Sequence, residues 1–289
     1  MAKRVVFGFV LTAIGISMMF LLDTWIFLIF GMFLCFMATL ELNRTSGLKN
    51  KPIMILSVAV SAIFPLYYEY GHYLNRIEGL NLKTEYLITV YVLVLCFLML
   101  HNHEETKFSH VSFAVVSSLL VPFAFTRVLY FRDIAEYFPD KGYTKAHGVF
   151  LILFMLFSAW ATDTFAYFAG SFLGKHKLCP KISPKKTVEG AIGGIIGCVV
   201  YNVVLYAVYD NFVFDNPVHN YVPIIIASII MSIVGMCGDL TASVIKRNYE
   251  AKDFGKLIPG HGGVMDRFDS ALFVFIAFYA VFNIFEVSI

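Results

Sequence analysis

Acidic, basic and glycine residues gather between positions 238 and 269 of an otherwise apolar chain. If a helix runs through the first part of this segment, Asp239, Ser243 and Lys246 lie at i, i+4 and i+7 and share one face. Asp266 and Asp269, at i and i+3, share a face at the start of a later helix. The pattern therefore predicts carboxylates, a hydroxyl and an ammonium group together at the mouth of a helical bundle.

A glycine-rich turn lies between these two acidic faces. Gly260, Gly262 and Gly263 surround His261, and glycine lets a backbone come close to a ligand. A merely solvated loop has no need of this arrangement. We expect backbone N–H groups to be presented to a ligand beside the carboxylates.

Two further polar clusters precede this segment. Asp163 lies near the end of an apolar run, where a carboxylate is costly unless it faces a polar cavity or a partner; packing between helices is the alternative. In Ser183–Gly190, a Ser or Thr can cap the start of a helix and Pro184 suits its first turn. The helix dipole with Lys185 and Lys186 then predicts an anion site, although an ordinary basic loop explains the same residues.

These residue types suit one class of chemistry. Proteins bind Mg²⁺ through one or two carboxylates together with substrate phosphates, and Lys or Arg neutralises the remaining phosphate charge. The sequence thus predicts phosphoryl or nucleotidyl transfer without a covalent cofactor.

The elements that position these residues are membrane helices. The 289 residues are 59% hydrophobic and only 15% charged, with a mean hydropathy of +0.75, far from the composition of soluble proteins. The net charge of +2 gives no reason to expect a nucleic acid as a partner. We predict a single membrane-embedded domain.

Nine apolar runs are long enough to approach the roughly 20 residues that cross a bilayer. All should be helices, because a backbone in hydrocarbon must satisfy its own hydrogen bonds. The predicted fold is an all-α polytopic bundle. The runs are Val5–Leu22, Trp25–Leu40, Pro52–Tyr68, Tyr86–Leu100, Val111–Tyr130, Val149–Gly170, Ala191–Tyr209, Tyr221–Leu240 and Phe268–Phe285.

Lys and Arg residues in the connections indicate the orientation, since cytoplasmic loops retain them preferentially. The more basic set includes the loops around Lys185 and Lys252. This places the active site at the cytoplasmic membrane face and the N-terminus outside. Lys3 and Arg4 argue against that assignment of the N-terminus.

Two patterns leave alternatives open. Gly190 with Gly194, and Gly193 with Gly197, form small-xxx-small pairs that let helices approach closely, either within the bundle or at a homodimer face. The run from His101 to Glu105 has residue types that bind metals, but its spacing matches no compact metal signature and favours a solvated loop.

The segment from Ser243 to Asp269 resembles the signature of phosphatidate cytidylyltransferases, also called CDP-diacylglycerol synthases. Its residues are Ser243-Val-Ile-Lys246-Arg247, Lys252-Asp253, Pro259-Gly-His261-Gly-Gly263 and Asp266-Arg267-Phe-Asp269. Asp163-Thr-Phe-Ala-Tyr167 and Ser183–Gly190 are also similar to elements of that family. The resemblance is firm over the second half of the chain, whereas the first half is similar only in hydropathy.

The resemblance implies the conversion of CTP and phosphatidic acid into CDP-diacylglycerol and pyrophosphate. The absence of long soluble tails favours a bacterial inner-membrane protein. The resemblance also implies that Asp239 and Asp266 bind Mg²⁺ and act in catalysis with Lys186, beside a second cation such as K⁺. It assigns substrate binding to Asp163, Ser183, Lys185, Ser243, Lys246, Arg247, Lys252, Asp253, His261, Arg267 and Asp269.

The organisation and the alternatives follow from the same residues. Residues 1–148 are expected to be scaffold helices and residues 149–289 the catalytic region of one membrane domain.

A cytidylyltransferase for another lipid phosphate, such as an isoprenoid ether lipid, would keep the same polar chemistry. A transporter of anionic metabolites could also place charges at a bundle mouth, but we find no internal repeat of the kind common in transporters.

Overall fold

A computed structural model describes residues 13–74, 83–214, 218–258 and 262–285. Its elements are α1 (Trp25–Thr45), α2 (Lys51–Leu74), α3 (Thr84–His101), α4 (Phe108–Arg132), α5 (Ile134–Tyr137), a 3₁₀ turn (Pro139–Lys141), α6 (Lys145–Leu173), β1 (Lys177–Cys179), β2 (Ser183–Thr187), α7 (Val188–Phe212), α8 (Val222–Asn248) and α9 (Met265–Phe285). Residues 13–20 are also helical.

The helical membrane fold predicted from hydropathy is confirmed. Eight helices are long and apolar enough to cross a bilayer, namely α1–α4 and α6–α9. Each contains one of the predicted runs, except that Tyr221 lies one residue before α8. The remaining run, Val5–Leu22, lies partly outside the described residues. The chain is an integral membrane protein of the all-α polytopic class.

The connection between α6 and α7 differs from the prediction. Residues 183–187 form β2, which pairs antiparallel with β1 in a register that sets Lys177 opposite Thr187. Pro184 therefore lies in a strand, and its predicted first-turn position is wrong. The helix begins at Val188, where the Thr187 hydroxyl accepts a hydrogen bond from Gly190 N at 3.1 Å, so a threonine cap is present one turn later than Pro184 suggested.

The chain folds as two compact units. The first comprises the described residues of Met1–Thr126 and Tyr249–Arg267, and the second those of Arg127–Asn248 and Phe268–Ile289. The functional division expected at residues 148 and 149 stays a prediction.

Buried polar side chains join the helices of the first unit. Asn43 on α1 donates to Ser57 on α2 at 2.7 Å and accepts from Ser117 on α4 at 3.1 Å. One turn earlier, Thr39 lies 2.7 Å from Ser61. Hydrogen bonds between helices stabilise association in lipid, where apolar contact alone provides little driving force.

In the second unit, glycines bring α6 and α7 into close contact. A Cβ added at Gly194 would lie 2.9 Å from the carbonyl oxygen of Thr162, and one added at Gly190 would lie 2.9 Å from that of Ala166. The small-xxx-small pattern thus serves packing within this chain. A homodimer stays a prediction.

The His101–Glu105 run ends α3 and continues into an exposed turn. Nowhere in the described ranges do three His, Cys, Asp or Glu side chains form a group placed to hold a metal ion. The solvated-loop interpretation of this run agrees with its exposure.

Candidate active site

An ion pair connects the β-hairpin to α8. Lys186 on β2 contacts the Asp239 carboxylate, and both side chains are about three quarters buried, at 24% and 26% exposure. The strand places Lys186 just before α7, while α8 extends far enough beyond Asp239 to include Lys246. The continuation of this helix past the apolar run, which the shared face of Asp239, Ser243 and Lys246 requires, is confirmed.

A second lysine and carboxylate join α8 to α9. Lys246 Nζ lies 3.6 Å from Asp269 Oδ2, and these side chains are more deeply buried than the first pair, at 13% and 11% exposure. Asp269 Oδ1 accepts a hydrogen bond from Ser270 N at 2.9 Å. The Ser270 hydroxyl donates to Asp163 Oδ2 on α6 at 3.1 Å. Side chains from α6, α8 and α9 are therefore joined by this ion pair and hydrogen bond.

Three carboxylates form the centre of this cluster. The negative charges of Asp239 and Asp163 both act on Asp269, and the positive charge of Lys246 opposes them. Carboxylates this close repel one another unless cations or protons offset the charge. We call Asp163, Lys186, Asp239, Lys246 and Asp269 the Asp–Lys cluster. Its lysines favour ligands that carry phosphate oxygens.

In the first unit, Asp266 organises the segment before α9. Its Oδ2 accepts hydrogen bonds from Phe254 N at 2.8 Å, Gly263 N at 3.0 Å and Gly255 N at 3.4 Å. Gly262 has a φ of +85°, and a Cβ there would lie 2.8 Å from the same oxygen. The backbone at Gly262 and Gly263 thus approaches Asp266 closely; its predicted approach to a ligand stays a prediction.

A further carboxylate of the first unit contacts the same segment. Glu41 on α1 is buried, and its two oxygens accept hydrogen bonds from Val264 N at 3.1 Å and Met265 N at 2.9 Å. Sequence reasoning treated the first half as scaffold and missed this residue. Its signal was a glutamate beside a long apolar run, a position where an ionisable group needs an explanation.

The other predicted site residues occupy the ends of these elements. Ser183 and Lys185 lie on β2, Ser243 on α8, Arg247 at the end of α8, Lys252 and Asp253 in the following loop, and Arg267 in the first turn of α9. Lys185, Arg247, Lys252, Asp253 and Arg267 are exposed, and Ser183 and Ser243 are half-buried. His261 lies outside the described residues.

The predicted metal ligands belong to different units. Asp239 is in the second unit and Asp266 in the first. Their joint binding of one metal ion remains a prediction.

Comparison with known proteins agrees with this chemistry. A sequence model of a family described as the cytidylyltransferase family matches residues 2–285. A phosphatidate cytidylyltransferase of Bacillus subtilis is 32% identical over 250 residues, 86% of each chain. Proteins with the same name from Staphylococcus saprophyticus and Staphylococcus haemolyticus are 34% identical over 86% of each chain and 36% identical over 67% of each chain, respectively.

Proposed function

The chain belongs to the cytidylyltransferase family, and on that basis we propose that it is the enzyme that converts CTP and phosphatidic acid into CDP-diacylglycerol and pyrophosphate. The observation that carries this proposal is the family match over residues 2–285. The Asp–Lys cluster supports it, because partly buried lysines beside carboxylates suit a reaction between two phosphate-bearing substrates.

In the proposed reaction, an oxygen of the lipid phosphate attacks the α-phosphorus of CTP. A new P–O bond joins the two phosphates, and the bond between the α- and β-phosphates breaks to release pyrophosphate. A phosphate monoester is ionised near neutral pH, so no side chain has to remove a proton from the nucleophile. The work of the protein is to position two anions and offset their charge.

The lysines of the Asp–Lys cluster are suited to positioning the two anionic substrates. Lys186 and Lys246 are held by Asp239 and Asp269, which limits the side-chain freedom that phosphate binding would otherwise cost. Arg247 is exposed at the end of α8 and Arg267 in the first turn of α9. We propose that each contacts a substrate phosphate.

Carboxylates are among the protein ligands that Mg²⁺ prefers. Magnesium takes oxygen ligands and keeps several for water and substrate phosphates, so a set of one or two protein carboxylates is sufficient. We propose that Asp239 and Asp266 would hold it. When bound, the ion screens charge between the reactants and stabilises the departing pyrophosphate. A second cation such as K⁺ is also proposed.

The decisive experiment combines the purified full-length protein with CTP labelled in the cytidine, phosphatidic acid in mixed micelles, and Mg²⁺. We expect a labelled lipid and stoichiometric pyrophosphate. A protein that forms neither product, although folded and monodisperse, would contradict the proposed function.

Two alternatives are separated by the same assay. Omitting phosphatidic acid distinguishes an enzyme from a transporter, since only the enzyme makes pyrophosphate release depend on the acceptor. A panel of lipid phosphates with diacyl and isoprenoid ether chains identifies the acceptor. We expect preference for the diacyl lipid.

Lys186→Ala and Arg247→Ala should each lower kcat/KM by about 10- to 100-fold, the loss expected for one charge-assisted phosphate contact of about 1.5–3 kcal/mol. Initial rates over a range of CTP and phosphatidic acid concentrations measure the effect. Lys181→Ala is the matched control, because Lys181 lies in the exposed turn of the same hairpin. Kinetics equal to the control would remove both residues from the site.

We propose that the loops around Lys185 and Lys252 face the cytoplasm of a bacterial cell, where CTP is made. In a cysteine-free background, Lys181→Cys and Lys256→Cys should react with an impermeant thiol reagent only after the membrane is opened. Asn220→Cys, exposed beyond the opposite end of α7, should react in intact cells. The reverse labelling pattern would invert the orientation.

A further inference from the structure

Glu41 is a buried carboxylate in the apolar first half of the chain. It is only 4% exposed, and its hydrogen bonds to Val264 N and Met265 N lie at the start of α9. The first N–H groups of a helix have no partner within the helix, and a negative charge near them is favourable. Glu41 therefore supplies from α1 the cap that α9 needs.

Two glycines fit around this carboxylate. A Cβ added at Gly255 or at Gly263 would overlap the Glu41 carboxylate. On the same helix, the Thr45 hydroxyl donates to the carbonyl oxygen of Phe254 at 3.3 Å. Thus α1 contacts both described stretches of the segment, residues 249–258 and residues 262–267.

The carboxylates of Glu41 and Asp266 accept hydrogen bonds from different backbone N–H groups of this segment. Asp266 accepts from the N–H groups of Phe254, Gly255 and Gly263. Glu41 accepts from the next two, Val264 and Met265. Three consecutive N–H groups, at residues 263, 264 and 265, thus point to two carboxylates, which fixes the backbone on which the Asp266 side chain is carried.

We infer that Glu41 is a positioning residue for the nucleotidyl-transfer site, acting through its hydrogen bonds to Val264 and Met265 to hold Asp266 and Arg267 in place. This inference rests on the proposed function. It gives Glu41 a positioning role in addition to the scaffold role of the rest of α1.

The matched control lies two residues away. Asn43 is also buried on α1, but its hydrogen bonds join α1 to α2 and α4. Asn43→Ala therefore removes buried polar contacts of the bundle and leaves the cap of α9 unchanged. Glu41→Gln keeps the side-chain size and one acceptor oxygen but turns an amide toward a backbone N–H.

Hydrogen exchange measures the positioning directly, without any substrate. In full-length protein, peptides that contain Val264 and Met265 should exchange about tenfold faster in Glu41→Gln than in Asn43→Ala. In Glu41→Gln the N–H groups of both residues lose their charge-assisted hydrogen bonds. If Glu41→Gln does not fold, Gly263→Ala takes its place in this experiment. The added methyl group displaces the Glu41 carboxylate, so the same exchange pattern is expected.

Kinetic measurements then test whether the position of Asp266 affects the proposed reaction. Per folded molecule, kcat of Glu41→Gln should fall about 10- to 100-fold, and half-maximal activity should need several-fold more Mg²⁺. Asn43→Ala should lower thermal stability but keep both values near those of the unmodified protein.

The possible failures are distinguishable. Unchanged exchange at Val264 and Met265, or equal kinetic losses in both variants, would overturn the positioning role. Faster exchange in Glu41→Gln together with an unmodified protein that makes no CDP-diacylglycerol would instead overturn the proposed function and leave the contact intact.

Discussion

Asp239→Asn should lower turnover by about a thousandfold or more, which corresponds to roughly 4 kcal/mol of transition-state stabilisation. Asparagine keeps the size of the side chain but removes the charge that pairs with Lys186 and that is proposed to bind Mg²⁺. The folded structure should lose less stability than activity, because the loss of the Lys186 pair is partly offset by reduced repulsion with the neighbouring carboxylates. Activity across a Mg²⁺ titration, with the melting temperature in parallel, measures both effects.

Asp266→Asn should cause a loss of activity of the same order for an additional reason. Its Oδ2 accepts three backbone N–H groups, so an amide nitrogen in that position would also disturb the segment before α9. The double variant should be scarcely worse than either single variant, since residues that act as a unit are non-additive.

Asp140→Asn provides the control for these variants, because Asp140 is an exposed carboxylate in the 3₁₀ turn. It should have normal activity. Near-normal turnover of Asp239→Asn or Asp266→Asn at ordinary Mg²⁺ would mean that the metal site lies elsewhere.

Gly194→Leu should largely abolish the folded enzyme. A Cβ at this position already lies 2.9 Å from the backbone oxygen of Thr162 and 3.1 Å from the Ala166 Cβ, so a leucine must push α6 and α7 apart. Overpacking of this kind typically costs about 1–3 kcal/mol and more where backbone atoms are in contact. The yield of monodisperse protein and its melting temperature measure the loss.

The control for this substitution is Ile196→Leu, two residues along α7. Ile196 is 58% exposed within the chain, so the change should be tolerated. If Gly194→Leu folds and works as well as Ile196→Leu, the close packing of α6 against α7 is not needed.

Hydropathy was sufficient to predict the membrane helices because the bilayer leaves the backbone few choices. The helical period then placed Asp239, Ser243 and Lys246 on one face of α8, and the extent of that helix confirms the basis of the prediction. The ion pairs of the Asp–Lys cluster could not be derived, since they join elements far apart in the sequence.

Two features escaped sequence reasoning for different physical reasons. The β-hairpin has strands of three and five residues, too short for a reliable alternation of polar and apolar side chains. Glu41 was missed because a single glutamate near the end of an apolar run resembles the ordinary polar end of a helix. Only its partners, 223 and 224 residues away in the sequence, reveal its role.

That separation has a consequence for how the protein is made. Helix α1 is synthesised before Val264 and Met265, which follow Glu41 by 223 and 224 residues. At about 5–20 residues per second, the partners of the Glu41 carboxylate do not exist for roughly 10–45 s after α1 has left the ribosome. Until those residues are made, Glu41 lacks the backbone N–H groups that it accepts from in the folded protein, and α1 cannot form its final contacts with the start of α9.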